Sequence, residues 1–137
     1  MIVVDTNILA YLFLPSEFGK LAVEARRLDE LWVAPALWRS EFRNVLIHYV
    51  RSGNITLAQA RDCQAAAAAL MAGRDQAVDG NEVMALAAET GCSTYDCEYA
   101  ALARRARVAL VTMDRRLLHA FPGTAVALRD FCKQKKR

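Results

Sequence analysis

The stretch "MIVVDTNILA" (residues 1–10) decides both the fold and the chemistry that this chain suggests. An uninterrupted apolar run leads directly into Asp5, and apolar residues resume after Thr6 and Asn7. A run that is too apolar to alternate is typical of a strand that helices cover on both faces. The sequence therefore predicts a buried strand that ends on a carboxylate, at the point where a helix begins.

Strand-like and helix-like stretches alternate along the rest of the chain. Three more short apolar runs, "LWVAP", "VALVT" and "TAVAL", predict strands, and stretches with helical spacing lie between them. The clearest of these is "ALWRSEFRNVLIHYVRSG", in which the apolar residues form one stripe. This alternation predicts an α/β three-layer sandwich with a small central parallel sheet flanked by helices. We assign a single domain to residues 1–132 and a basic C-terminal tail to residues 133–137.

Composition excludes several classes of function. The net charge of +3 becomes −1 without the four basic residues of the tail "KQKKR", so the body of the chain is not a basic nucleic-acid platform. No apolar run reaches the roughly 20 residues that a bilayer requires, and we expect no membrane association. The four cysteines form no C-x-x-C pair, which favours reduced thiols and a cytoplasmic location.

Four acidic residues stand at related places in the predicted elements. Asp5 and Asp114 each follow a strand, Asp96 lies in the first turn of a helix, and Glu41 lies in the first half of another helix. Because the carboxyl ends of parallel strands meet at one edge of a sheet, these acids are candidates for one cluster. Clustered carboxylates repel each other unless a cation neutralises them, and oxygen ligands without His or Cys favour Mg²⁺ or Mn²⁺.

Each acid also has a structural explanation. Asp5 and Asp114 would serve as N-caps of the helices that follow them. Asp96 forms a capping-box pattern with Ser93, and Glu41 has arginine neighbours for a surface ion pair. These explanations remain open from the residues alone.

The stretches "VVDTN", "WRSEFRNVL", "STYDCEYAALA" and "LVTMDRRLL" resemble, in this order and spacing, the PIN-domain family of nucleases. The resemblance extends over essentially the whole chain. At this length, with little besides the domain, the chain looks like the toxin ribonucleases of bacterial type II toxin–antitoxin pairs. It implies catalytic, metal-binding roles for Asp5, Glu41, Asp96 and Asp114. It also implies that Thr6 or Asn7, together with Thr112, holds these carboxylates in place.

The resemblance implies that the chain is a Mg²⁺- or Mn²⁺-dependent endoribonuclease that leaves 5′-phosphate and 3′-hydroxyl ends. Some members of the family carry another acid two residues after the last aspartate, where this chain has Arg116. We therefore expect one tightly held ion, with a second arriving with the substrate. Four arginines flank the acids in sequence and are candidates for binding phosphate, with solvated helix charge as the alternative: Arg39, Arg43, Arg115 and Arg116.

The resemblance also implies partners. These are an RNA substrate, a small antitoxin protein that lays an amphipathic helix over an apolar groove, and a second copy of the chain in a homodimer. The candidate groove residues, for which an ordinary core is the alternative, are Leu9, Leu12, Phe13, Trp32 and Trp38.

Three other functions are compatible with parts of the sequence. A PIN-like binding module without activity would keep the fold, but all four acids are present here. A magnesium-dependent phosphatase or other small-molecule hydrolase would use a similar acid cluster. A DNA nuclease is disfavoured because the short chain lacks additional helices for threading DNA.

Overall fold

A computed structural model describes residues 1–136 of the chain. These residues form one five-stranded sheet, in which every pairing is parallel, and eight helices. The strands are β1 (Ile2–Val4), β2 (Trp32–Pro35), β3 (Asp75–Gln76), β4 (Leu110–Thr112) and β5 (Ala125–Ala127). The helices are α1 (Thr6–Phe13), α2 (Gly19–Leu28), α3 (Trp38–Arg51), α4 (Leu57–Leu70), α5 (Gly80–Thr90), α6 (Thr94–Ala106), α7 (Arg115–Ala120) and α8 (Leu128–Lys135).

The strand order, β3-β2-β1-β4-β5, divides the helices between two layers. The chain moves from β1 to β2 and β3 in one direction, and then crosses back to β4 and β5 in the other direction. Because parallel crossovers are right-handed, helices α1 to α4 lie on one face of the sheet and α5 to α7 on the other. Helix α8 packs on α2 and therefore belongs to the first layer. The predicted three-layer α/β sandwich is confirmed.

The order of the strands reverses between β1 and β4. These two strands are neighbours, with Val4 opposite Val111, and both are completely buried. In open parallel sheets such a reversal leaves a crevice outside the carboxyl ends of the strands, because the flanking helices depart to opposite faces. Asp5 and Asp114 follow these two strands, so the topology places both at the crevice.

Strand β3 was not predicted, and its composition explains why. It consists of two exposed polar residues, Asp75 and Gln76, so it carries no hydrophobic pattern. Its pairing with Ala34 and Pro35 of β2 alone defines it as a strand.

The predicted boundary between the domain (residues 1–132) and its basic tail (residues 133–137) falls within helix α8. Helix α8 continues through Cys132 to Lys135, and Nζ of Lys136 lies 3.3 Å from Oε1 of Glu24 on α2. The remaining residue of the predicted tail, Arg137, lies outside the described residues.

Within residues 1–136, no helix is both long enough and apolar enough to cross a bilayer. The four cysteines are free thiols, and three of them are buried.

Candidate active site

The carboxylate of Asp5 is fixed between the two central strands. Its backbone N–H donates to the carbonyl oxygen of Val111 at 3.0 Å, which anchors the residue to β4. In the side chain, Oδ1 accepts a hydrogen bond from the N–H of Thr6, and Oδ2 accepts one from Oγ1 of Thr112, both at 2.7 Å. The residue is 9% exposed. Asp5 is thus the N-cap of α1 and is also held by a hydroxyl from the neighbouring strand.

Asp114 is held by the same threonine. Its N–H donates to Oγ1 of Thr112 at 3.0 Å, so this one side chain connects Asp114 and Asp5. Oδ1 of Asp114 accepts from the N–H groups of Arg116 and Leu117, which makes Asp114 the N-cap of α7. Among residues 1–136, its other oxygen, Oδ2, has no hydrogen-bond partner. Capping therefore uses one oxygen and leaves the second available.

Glu41 reaches the site from α3 and is bound by two hydroxyl groups. Its Oε1 lies 2.6 Å from Oη of Tyr99 on α6 and 3.1 Å from Oγ1 of Thr6 on α1. The two hydroxyl oxygens are themselves 2.7 Å apart. Three helices thus meet at one carboxylate oxygen, although they are far apart in sequence.

Asp96 lies in the first turn of α6, where its N–H donates to Oγ of Ser93, the N-cap. The return bond of a capping box, from the backbone N–H of Ser93 to the carboxylate of Asp96, does not form in the described part of the chain. Burial raises the pKa of Asp96, and the negative charge of Asp114 raises it further, while Ser93 and Arg116 act in the opposite direction. The charges of Asp96, Asp114 and Arg116 are therefore close enough to interact.

Burial also dominates the ionisation of Asp5. Desolvation raises the pKa of Asp5 from 3.8 to about 6, against the hydrogen bonds from Thr112 and Thr6. The negative charges of Glu41 and Asp96 are smaller contributions to the same rise. Charge thus links all four acids, and hydrogen bonds through Thr6 and Thr112 link Asp5 to Glu41 and Asp114. In the described part of the chain, no lysine or arginine forms an ion pair with any of them.

The donor set fits a hard divalent cation. The ligands on offer are carboxylate oxygens, the type that Mg²⁺ and Mn²⁺ prefer. Over residues 1–136, no three carboxylate, imidazole or thiol groups are close enough to enclose an ion by themselves. This spacing suits Mg²⁺, which is usually bound by one or two carboxylates and keeps several of its waters.

Of the other residues predicted for the site, Thr6 and Thr112 contact the acids, as described above. Asn7 is exposed on the first turn of α1 and makes no side-chain hydrogen bond within residues 1–136. Arg115 and Arg116 are exposed at the start of α7. The positive charge of Arg116 acts to lower the pKa of Asp96.

Two of the arginines that were candidates for phosphate binding have different surroundings. Nε of Arg39 lies 2.9 Å from Oδ2 of Asp75, and its guanidinium covers the ring of Trp38 at 4.8 Å. Arg43 follows Glu41 by two residues on α3, which turns its side chain about 200° away, into the cleft between α3 and α4. These placements weigh against phosphate binding by Arg39 and Arg43.

Sequence reasoning missed Tyr99 and Glu98. The helical spacing of "STYDCEYAALARRAR" predicts Tyr99 on the apolar face of α6, where its ring does lie at 1% exposure, but its hydroxyl binds Glu41. Glu98, beside it, has its pKa raised by burial and then by the charge of Glu41. A tyrosine three residues after the aspartate, on the same helical face, was the signal that could have revealed Tyr99.

The predicted antitoxin groove is wrong for three of its five residues. Leu9, Trp32 and Trp38 are at most 2% exposed and belong to the core. They pack inward because β2 is covered on both faces and because α1 and α3 turn these residues towards the sheet. Leu12 and Phe13, at the end of α1, are half-buried.

Comparisons with known proteins identify the class to which this fold and acid cluster belong. The sequence model of the PIN domain matches residues 2–121 of the chain. The chain therefore belongs to the PIN-domain family, which is generally a family of metal-dependent nucleases. Among curated protein sequences, none matches this chain.

One solved structure extends the agreement in fold to nearly the whole chain. The crystal structure of PAE2754 from Pyrobaculum aerophilum superposes with a TM-score of 0.73 at 23% sequence identity. The match covers 98% of this chain and 96% of that one. At this identity the likeness supports the fold alone.

Proposed function

We propose that this PIN domain is a Mg²⁺- or Mn²⁺-dependent endoribonuclease that acts as the toxin of a toxin–antitoxin pair. The observation that carries the proposal is the set of four acids at the reversal point of the sheet. Among residues 1–136, no lysine or arginine pairs with them, and the most buried, Asp5, has its pKa raised to about 6. Carboxylates kept desolvated without a cationic partner are suited to binding an external cation.

The residues of the chain divide the work between them. Asp5, Glu41, Asp96 and Asp114 would hold the cation together, one or two of them by direct contact and the others through its waters. When bound, a divalent cation supplies an activated water and stabilises the charge that develops on the phosphate oxygens. Thr112 fixes Asp5 and the backbone of Asp114, so that two acids keep their separation. Arg116, whose charge reaches Asp96, is the arginine best placed to bind a substrate phosphate.

The antitoxin would dock on the cleft between α3 and α4. This cleft of about 190 Å³ is lined by apolar residues, including Leu46 and Leu57, and by Arg43 and Arg61. Leu57 is 46% exposed. An amphipathic helix with acidic residues beside its apolar face would complement both features. We expect Leu57→Asp to keep ribonuclease activity when the antitoxin is present.

A homodimer, also implied by the resemblance, is tested by sedimentation of the purified protein.

The decisive experiment is cleavage of labelled single-stranded and hairpin RNAs by protein purified free of any partner. Reactions contain Mg²⁺, Mn²⁺ or EDTA, and Asp5→Asn and Asp96→Asn are compared with Asp62→Asn, an exposed acid on α4. We expect metal-dependent cleavage that both site variants abolish and Asp62→Asn retains.

Two outcomes would contradict the proposal. Cleavage that survives EDTA and both site variants would exclude the acid cluster as its source. Hydrolysis of a free phosphomonoester such as p-nitrophenyl phosphate, without cleavage of RNA, would indicate a phosphatase instead.

A further inference from the structure

Three oxygen atoms form a closed triangle beneath the acid cluster. Oη of Tyr99 lies 2.6 Å from Oε1 of Glu41 and 2.7 Å from Oγ1 of Thr6, and the third side, from Thr6 to Glu41, is 3.1 Å. Tyr99 is 1% exposed and Thr6 is 4% exposed, so solvent does not compete for these contacts.

The number of protons determines the direction of the hydrogen bonds. The two hydroxyl groups supply one proton each, and an ionised carboxylate supplies none, so two protons serve three contacts. A phenol is a stronger donor than an aliphatic alcohol, and the contact of Tyr99 with Glu41 is the shortest of the three, in the range of charge-assisted hydrogen bonds. Tyr99 therefore donates its hydroxyl proton to Oε1 of Glu41. The hydroxyl proton of Thr6 is left for Oε1 of Glu41 or Oη of Tyr99. This arrangement uses Oε1 and leaves Oε2 of Glu41 without a partner among the described residues.

Glu41 needs this restraint because its neighbours repel it. Its charge interacts with those of Asp5 and Glu98, and both interactions are repulsive. A glutamate side chain also loses rotamer entropy when it is held in one conformation. Without the hydroxyl of Tyr99, the carboxylate of Glu41 would lose the shortest of the contacts that hold it against this repulsion.

We propose that Tyr99 is a positioning residue, which binds one oxygen of Glu41 so that the other oxygen stays free to bind a divalent cation. This inference rests on the proposed function, because it assumes that the four acids bind such a cation. Tyr99 itself contacts neither the ion nor the RNA in this arrangement.

The test is Mn²⁺ binding to Tyr99→Phe in the absence of RNA, measured by isothermal titration calorimetry. The substitution removes a single oxygen and keeps the buried ring. We expect Mn²⁺ to bind about 10–100-fold more weakly, the usual effect of losing a group that orients a metal ligand. Tyr49→Phe, which alters a half-buried tyrosine on α3, is the matched control and should bind Mn²⁺ as the wild type does.

A double-mutant cycle tests whether Tyr99 acts through Glu41. In a Glu41→Gln background, Tyr99→Phe should weaken Mn²⁺ binding no further, whereas independent effects would add. Thr6→Ser keeps the hydroxyl and should preserve affinity, and Thr6→Val removes it and should lower affinity. The Thr6 pair also tests the triangle if Tyr99→Phe does not fold.

The outcomes separate this inference from the function on which it rests. If Tyr99→Phe lowers the melting temperature equally in EDTA and in Mn²⁺, with an unchanged Mn²⁺ dissociation constant, Tyr99 is only structural and the inference is overturned alone. If the wild-type protein itself binds no Mn²⁺, the proposed function and this inference are both overturned.

Discussion

The pKa values of two aspartates near the sheet are shifted in opposite directions by their surroundings: that of Asp5 is raised and that of Asp75 is lowered. Asp75, on edge strand β3, accepts a hydrogen bond from Nε1 of Trp38 at 2.7 Å and pairs with Arg39 at 2.9 Å. Burial acts to raise the pKa of Asp75, but Trp38 and Arg39 outweigh it, and the net pKa is lowered. Asp5, at the end of central strand β1, is more deeply buried, lacks a cation in the described part of the chain, and has a pKa of about 6.

The difference indicates which acids serve the fold and which serve a ligand. The chain neutralises Asp75 with its own arginine and thereby fastens α3 to the edge of the sheet. It buries Asp5 and surrounds it with the charges of Glu41 and Asp96, an arrangement that costs stability. A destabilising charge that is retained at a topological switch point indicates that the charge has a function there.

The largest contrast is expected in RNA cleavage. Asp114→Asn should lower the cleavage rate at least about 100-fold, because it neutralises an acid whose free oxygen is available to the cation. Asp75→Asn should leave the rate within about twofold of the wild type, because the arginine already occupies that carboxylate. Initial rates on one labelled RNA in Mn²⁺ compare the two variants. Equal losses would show that the distinction between paired and unpaired acids has no functional meaning.

The next contrast concerns stability and its pH dependence. The pKa of Asp5 is higher in the folded state, about 6, than its ordinary value of 3.8, so the folded state binds the proton more tightly. Its ionisation therefore destabilises the fold progressively from about pH 4 to pH 6, by about 3 kcal/mol in total. In EDTA at pH 8, Asp5→Asn should raise the free energy of unfolding by about this amount, measured in urea.

The pH dependence is the control for the expected rise in the free energy of unfolding of Asp5→Asn. At about pH 4, where Asp5 is protonated in the folded state, Asp5→Asn and the wild type should unfold at nearly the same urea concentration. Mn²⁺ at pH 8 should also reduce the difference, because it stabilises only the protein that binds it. A gain of equal size at both pH values would point to a cause other than desolvated charge.

Particular residues show how much the sequence could reveal. The strand β1 and the position of Asp5 were predictable, because an apolar run and the acid that ends it are adjacent in sequence. The contacts of Tyr99 were not predictable, because its hydroxyl meets Thr6 and Glu41 across 93 and 58 residues. The burial of its ring satisfied the helical pattern without revealing the polar end.

The same limit explains the misplaced arginine and tyrosine. Arg39 is next to the acid-bearing part of α3 in sequence, but its partner Asp75 lies 36 residues away on a strand that has no hydrophobic pattern. The helical spacing of "STYDCEYAALARRAR" predicts Tyr95 on the buried face of α6, yet it is 61% exposed. It lies in the first turn of α6, and helical periodicity alone overestimates its burial.

A smaller effect is expected from the arginines. Arg116→Ala should weaken RNA binding about 3–10-fold and reduce the slope of log affinity against log salt by about one, because one phosphate contact is lost. The measurement uses fluorescence anisotropy in an Asp5→Asn background, which prevents cleavage. Arg43→Ala, on the far side of α3, is the matched control and should change neither quantity. An unchanged salt slope for Arg116→Ala would exclude Arg116 as a phosphate contact.

The smallest effect is expected at Asp75, and its pH dependence has the opposite sign to that of Asp5. Asp75→Ala should lower the free energy of unfolding by about 1 kcal/mol at pH 7, because it removes an ion pair and the acceptor for the indole of Trp38. The pKa of Asp75 is lowered in the folded state, so this contribution is present above pH 3.8 and is lost as the pH falls through the folded value. Arg39→Ala should cost a similar amount, and the double variant little more, if the two residues act as a pair. Urea unfolding at pH 7 and pH 3 tests both points. A loss at pH 3 as large as the loss at pH 7 would assign the stability to packing around Trp38 and not to charge.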